Sequence, residues 1–131
     1  MAGELILIVE DNEKNRKLER DVLRHSGYVT IESETGEGGV DLAREQHPAL
    51  VLMDIQLPGI NGIEALRQLR ADPATRNIPI MAVTASAMIH DRQKIMAAGF
   101  DAYQSKPINV KEFLAAVRQL LDAKPAGGSS R

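Results

Sequence analysis

Cysteine and tryptophan are absent from the 131 residues, and phenylalanine and tyrosine contribute only two each. Without cysteine there is no disulfide framework, no thiolate metal centre and no thiol nucleophile, and the absence fits a cytoplasmic setting. An excess of one charge is missing too. The 16 basic and 18 acidic side chains leave a formal net charge of −2, which provides no basic footprint for nucleic acid. Long apolar runs are also lacking: stretches such as LILIV at 5–9 fall far short of the roughly 20 residues that cross a bilayer, so no membrane insertion is expected. The opening MAGE has neither a basic n-region nor an apolar h-region and does not read as a secretory signal. What is present, 44% apolar and 26% charged residues, suits a globular chain able to bury a core without metal or disulfide. It reads as one domain over 4–123, followed by a small, polar, flexible tail, KPAGGSSR, at 124–131.

Strand-like and helix-like segments alternate along the chain. Leu5–Val9 is continuously apolar, and the next stretch places Leu18, Val22 and Leu23 on one helix face before Gly27 ends it. Tyr28–Glu32 alternates as a strand, and a short helix over about 38–46 stops before Pro48. Ala49–Met53 is apolar again, and a loop through Pro58-Gly59 leads into a helix carrying Ile63, Leu66 and Leu69. Ile80–Val83 is the fourth apolar run, followed by a helix through Ile95 and Met96 that ends at Gly99. Asp101–Ser105 is the fifth strand. A last helix spaces Val110, Phe113, Leu114, Val117, Leu120 and Leu121 at i, i+3, i+4 and i+7.

Five such alternations predict an α/β fold, a parallel sheet with helices on both faces. The first, third and fourth strands are apolar throughout, as central strands are, whereas the second and fifth carry Thr30, Glu32, Asp101, Gln104 and Ser105 and suit the edges. Right-handed crossovers then give a flavodoxin-like, doubly wound, five-stranded sheet of order 2-1-3-4-5 with five helices. Its ligand crevice should lie at the carboxyl ends of the first and third strands.

That crevice collects chemistry. The first strand ends in Glu10-Asp11, the third in Asp54, the fourth in Thr84 and the fifth in Lys106-Pro107. Three carboxylates in one pocket raise each other's pKa, and a divalent cation relieves the repulsion. With oxygen donors and no cysteine or histidine nearby, Mg²⁺ is the natural ion. Lys106 suits a phosphate oxygen, and a central carboxylate such as Asp54 can act as a nucleophile that forms an aspartyl phosphate. Each residue has a plainer local reading. Asp11-Asn12 suits a helix cap, Asp54 ahead of Pro58-Gly59 suits a turn, Thr84 suits a strand, and Lys106 suits solvent. It is their coincidence at one predicted crevice that argues for a site.

The blocks LILIVEDN, LVLMDIQLPGING, IPIMAVTAS and AYQSKPI resemble the signature blocks of the receiver domain of two-component response regulators, over residue 4 to about 123. The wording EDNEKN, MDIQLPGING, AVTASAM and YQSKPI is particularly similar to the single-domain DivK-type regulators of bacterial cell division and polarity. The resemblance implies that Asp54 accepts a phosphoryl group from a sensor histidine kinase or a phosphotransfer protein. It implies Mg²⁺ held by Asp11, Asp54 and the Gln56 backbone carbonyl, with Glu10 acting through water. Thr84 and Lys106 would contact phosphoryl oxygens, Tyr103 would be the aromatic switch partner of Thr84, and the Lys106-Pro107 peptide would be cis. Gln56 and Ser86 fall where the family tunes hydrolysis, although two polar loop residues read equally well as just that. Glu10 stands where many receivers have Asp, which changes reach but not charge.

On this reading the chain is a phosphoacceptor switch and not an enzyme, assisting only its own phosphorylation and dephosphorylation. Little sequence follows the fifth helix, so its output is expected to be protein–protein contact through the helix 4–strand 5–helix 5 face. A receiver domain cut from a larger response regulator or hybrid histidine kinase would read the same way. Three rivals fit less well. An aspartyl phosphohydrolase typically has a second aspartate two positions on, where Gln56 stands. A flavodoxin needs a phosphate-cradling loop where EDNEKN stands. A phosphate-independent pseudo-receiver would leave acceptor positions unfilled. His25, His47 and His90 are dispersed and form no metal site, and Met88 and Met96 suit core filling more than a recognition face.

Overall fold

Strands and helices alternate strictly in the computed structural model, which describes residues 3–85 and 89–123. In chain order they are β1 (Leu5–Val9), α1 (Glu13–His25), β2 (Val29–Ser33), α2 (Gly36–Gln46), β3 (Leu50–Asp54), α3 (Gly62–Ala71), β4 (Ile80–Thr84), α4 (Ile89–Ala97), β5 (Ala102–Ser105) and α5 (Val110–Asp122). The sheet is parallel throughout, in the order β2-β1-β3-β4-β5, as the strand chemistry predicts. Every residue of β3 and β4 is buried, while β5 is half-exposed and β2 opens with the exposed Val29.

Alternation along the strands divides the core in two. Leu7, Val9, Val51, Met53, Ile80 and Ala82 face the side covered by Val40, Leu66, Leu69 and Ile95. Ile6, Ile8, Leu50, Leu52, Met81 and Val83 face Leu23, Phe113, Val117 and Leu121. Burying each large side chain stabilises by about 1.5–3 kcal/mol. The sheet is therefore a rigid platform whose carboxyl ends are held in register.

Among the described residues, four helix starts carry a side-chain cap. Asn12, Thr35, Asn61 and Asn109 each accept a hydrogen bond from the backbone N–H three residues on, satisfying a donor that the helix itself cannot. Gly27 and Gly99, with φ of +94° and +115°, follow α1 and α4 in the left-handed conformation that ends a helix. His47 does the same job for α2 at φ +49°, a role rarely taken by a residue with a β-carbon.

Several element boundaries and one helix face differ from the sequence reading. β2 starts and ends one residue later, and β5 begins at Ala102 instead of Asp101. The second helix begins at Gly36, because Thr35 supplies the cap. Asp54 and Thr84 are the last residues of their strands, at the strand ends where the sequence reading puts them. On α1 the inward stripe is rotated: Leu18 is 39% exposed, and the residue buried one turn before Leu23 is Glu19. Three apolar residues, two of them adjacent, leave a helix's rotation under-determined, and packing on the sheet decides it.

Candidate functional site

The sheet order places β1 beside β3, so their last residues are neighbours at one edge. Glu10 follows β1 directly; its N–H still pairs with the Ser33 carbonyl at 3.0 Å, and its side chain is buried. Asp11 is exposed, and Asp54 is buried at the end of β3. Carboxylate oxygens of the three lie within 4.8 Å of one another. Lys106, in the turn after β5, bridges two of them: its Nζ donates to Glu10 Oε1 at 3.0 Å and lies 3.4 Å from Asp54 Oδ2. Asn12 N–H donates to the other Glu10 oxygen at 3.1 Å, and Gln56 N–H donates to Asp54 Oδ1 at 3.3 Å.

Burial pushes the Asp54 carboxyl up to about 7, and the Glu10 charge adds to it against the pull of Lys106. Burial opposes the charge on Lys106 as well, yet the hydrogen bond to Glu10 and the Asp54 carboxylate outweigh it and raise the amine. An acidic cluster with one lysine is short of positive charge. Its donors are all hard oxygens, the set a small divalent cation prefers. Glu10, Asp11 and Asp54 are the residues able to hold one, and the Gln56 backbone lies beside Asp54.

Thr84 is buried at the end of β4, in register with Ser105, and its carbonyl accepts the Lys106 N–H at 2.8 Å. The β4 and β5 ends are thereby tied to each other beside Asp54, which pairs with Val83. Tyr103 packs on the α3–α4 side of the core with the Arg92 guanidinium 5.5 Å above its ring. The Lys106–Pro107 bond is cis. Ser86 and Met88 lie outside the described residues. His25 ends α1 and His47 caps α2, on different helices and away from the acidic cluster.

Three supporting residues escape a reading of the sequence. Gly62 opens α3 directly under Asp54: its N–H donates to the Ile55 carbonyl at 2.9 Å, and its missing side chain lets the Asp54 carbonyl approach. Glu37, on α2, accepts the Ile60 N–H at 3.3 Å and pins the loop after β3, where Gly59 adopts φ +74°. Arg16 donates to the Glu10 carbonyl at 2.9 Å. Glycine after an Asn cap was the one available signal; the other two contacts join residues that only the fold brings together.

The family model for the response regulator receiver domain matches residues 6–118. The polar-differentiation response regulator DivK of Brucella ovis is 49% identical over 116 residues, spanning 88% of this chain and 94% of that protein. Among solved structures, the receiver domain of a sensor histidine kinase from Pseudomonas aeruginosa, with magnesium coordinated in its active-site cleft, is 34% identical. It covers 92% of this chain and 98% of its own, at a TM-score of 0.86. A CheY-like receiver domain protein from Methanospirillum hungatei is 28% identical over 96% of this chain and 99% of its own, at a TM-score of 0.84. Among the described residues no helix is long and apolar enough to cross a membrane.

Proposed function

This chain belongs to the response regulator receiver domain family, and from that premise we propose that Asp54 is its phosphoacceptor and that phosphorylation switches its protein contacts. A phosphohistidine on a sensor histidine kinase or phosphotransfer protein is the donor. The P–N bond breaks as an Asp54 carboxylate oxygen forms a P–O bond, and hydrolysis later releases inorganic phosphate. The observation that carries this reading is the convergence on Asp54 of two further carboxylates and the Lys106 amine, the latter 3.4 Å away.

Asp11, Asp54 and the Gln56 carbonyl would hold Mg²⁺, with Glu10 through water, as the donor set and the magnesium-bearing receiver relative suggest. The ion supplies positive charge to the transferring phosphoryl oxygens. This chain's residues do the rest. β3 fixes the acceptor oxygen, Lys106 holds a phosphoryl oxygen through a point charge, and the Thr84 hydroxyl holds another. Gln56 and Ser86, two positions beyond Asp54 and Thr84 respectively in the sequence, tune the hydrolysis rate. As Thr84 is drawn towards the phosphoryl group, Tyr103 follows it inward and the α4–β5–α5 face repacks for a downstream protein. The protein is a phosphoacceptor acting within residues 4–123, and not an enzyme with an external substrate. Likeness to DivK over nearly its whole length supports a role in cell division or polarity, and the absence of cysteine fits a cytoplasmic setting for it.

The cation half is tested by titration. Asp11→Ala should lower Mg²⁺ affinity roughly tenfold or more and slow phosphorylation by acetyl phosphate, whereas Glu45→Ala, on α2 and outside the cluster, should change neither. Equal affinities in the two variants would remove Asp11 from the site.

A further inference from the structure

Asp11 is the one exposed member of the acidic cluster, and among the described residues its side chain makes no hydrogen bond. Its position therefore depends on its backbone. Beyond Val9 the β1 ladder is ending, and the Glu10 carbonyl needs a partner that the sheet does not provide. That partner is the Arg16 guanidinium, whose Nη1 donates to it at 2.9 Å from the first turn of α1. A peptide unit is planar, so holding the Glu10 carbonyl holds the whole plane through the Asp11 Cα.

Arg16 is itself held. Its Nε donates to Glu32 Oε1 at 3.1 Å, at the end of β2, and its Nη2 lies 3.9 Å from Glu34. Arg20, one turn on, grips both oxygens of Glu32 at 3.0 and 2.9 Å. The Arg16 side chain is 13% exposed, which limits its freedom to leave this arrangement. On the opposite side, Asn12 takes Glu10 Oε2 through its N–H while capping α1 through its side chain. The Glu10-Asp11 unit is thus clamped between the edge strand and the helix start.

We propose that Arg16 is a positioning residue for the divalent-cation site, setting the Glu10-Asp11 peptide so that the Asp11 carboxylate faces Asp54. The inference rests on the cation reading of the acidic cluster, and it makes a prediction opposite in sign to the simplest alternative. Taking a positive charge away from beside acidic groups favours cation binding by Coulomb attraction alone. Losing the clamp weakens binding, as losing outer partners of metal ligands does, by about tenfold or more.

The experiment is a Mg²⁺ titration, by calorimetry, of the wild type, Arg16→Met and Arg20→Met, with amide NMR shifts recorded in parallel. Arg20→Met removes a charge from the same Glu32 cluster but no bond to Glu10. We expect Arg16→Met to bind Mg²⁺ about tenfold more weakly, with the Asp11 and Asn12 amide resonances displaced before metal is added. Arg20→Met should bind within twofold of wild type or slightly tighter. Arg16→Lys, which keeps the charge and one donor, should recover part of the loss and serves should the Met variant not fold. Mg²⁺ binding by Arg16→Met equal to or tighter than wild type overturns the proposal. Absence of binding by the wild type overturns the cation reading instead.

Discussion

Replacing Gly62 by alanine should slow phosphorylation of Asp54 by about a hundredfold while leaving the fold recognisable. A β-carbon on Gly62 would overlap the Asp54 carbonyl oxygen and come within 2.9 Å of the Ile55 Cα, and these are backbone atoms at the end of β3 and in the residue that follows it. Nothing there can rotate aside, so the end of β3 must move. Overpacking of this kind typically costs about 1–3 kcal/mol, and a shift of about 1 Å at a reacting group costs on the order of a hundredfold in rate. Gly38→Ala is the control: its β-carbon would meet the Ser33 hydroxyl at 2.6 Å, a side chain able to turn away, on the β2 side of the sheet. Initial rates with acetyl phosphate, corrected for folded fraction by thermal melts, decide it. A Gly62→Ala protein that phosphorylates as fast as Gly38→Ala would show that β3 does not need that close approach.

Glu19→Leu should make the metal-free protein more stable at pH 8, by about 2–4 kcal/mol, or roughly 4 °C in Tm per kcal/mol for a chain of this size. Glu19 is 2% exposed on the inner face of α1. Burial, with the nearby Glu10 charge, pushes its carboxyl up from 4.5 to about 8, against the pull of Lys106. The folded state therefore holds a proton that the unfolded state has released. The sign follows: Glu19 does not weaken the fold below about pH 4.5, and the penalty grows as pH rises to about 8. A rise of that size amounts to at most roughly 5 kcal/mol across the window. Stability of the wild type should fall between pH 5 and 8 more steeply than that of Glu19→Leu, and Glu19→Gln should share the flatter profile. Parallel profiles for all three would show that Glu19 is not the titrating group.

Most of the fold was legible because apolarity reports sheet position directly. Strands buried on both faces read as LILIV, ALVLM and IPIMAV, and edge strands carry Glu32 or Gln104, so the sheet order follows from composition and handedness. The acidic cluster followed from that order, since strand ends adjacent in the sheet need not be adjacent in sequence. Glu19 was not legible. A carboxylate between Leu18 and Arg20 reads as solvated, and only docking on the sheet turns the helix so that Leu18 faces water instead. Arg16 and Glu37 were hidden for a different reason: each bonds a backbone atom of another segment, and no residue type marks a carbonyl or an N–H as someone's partner. Gly62 sits between these cases, visible as a glycine after a cap but silent about the Asp54 carbonyl above it.

Intact mass of the protein after incubation with acetyl phosphate and Mg²⁺ tests the phosphoacceptor most directly. The wild type should gain a single phosphate, lose it again on standing, and gain none when the metal is chelated. Asp54→Ala should gain none under any of these conditions. A phosphate adduct on Asp54→Ala, formed as fast as on the wild type and equally dependent on Mg²⁺, would contradict the account at its centre.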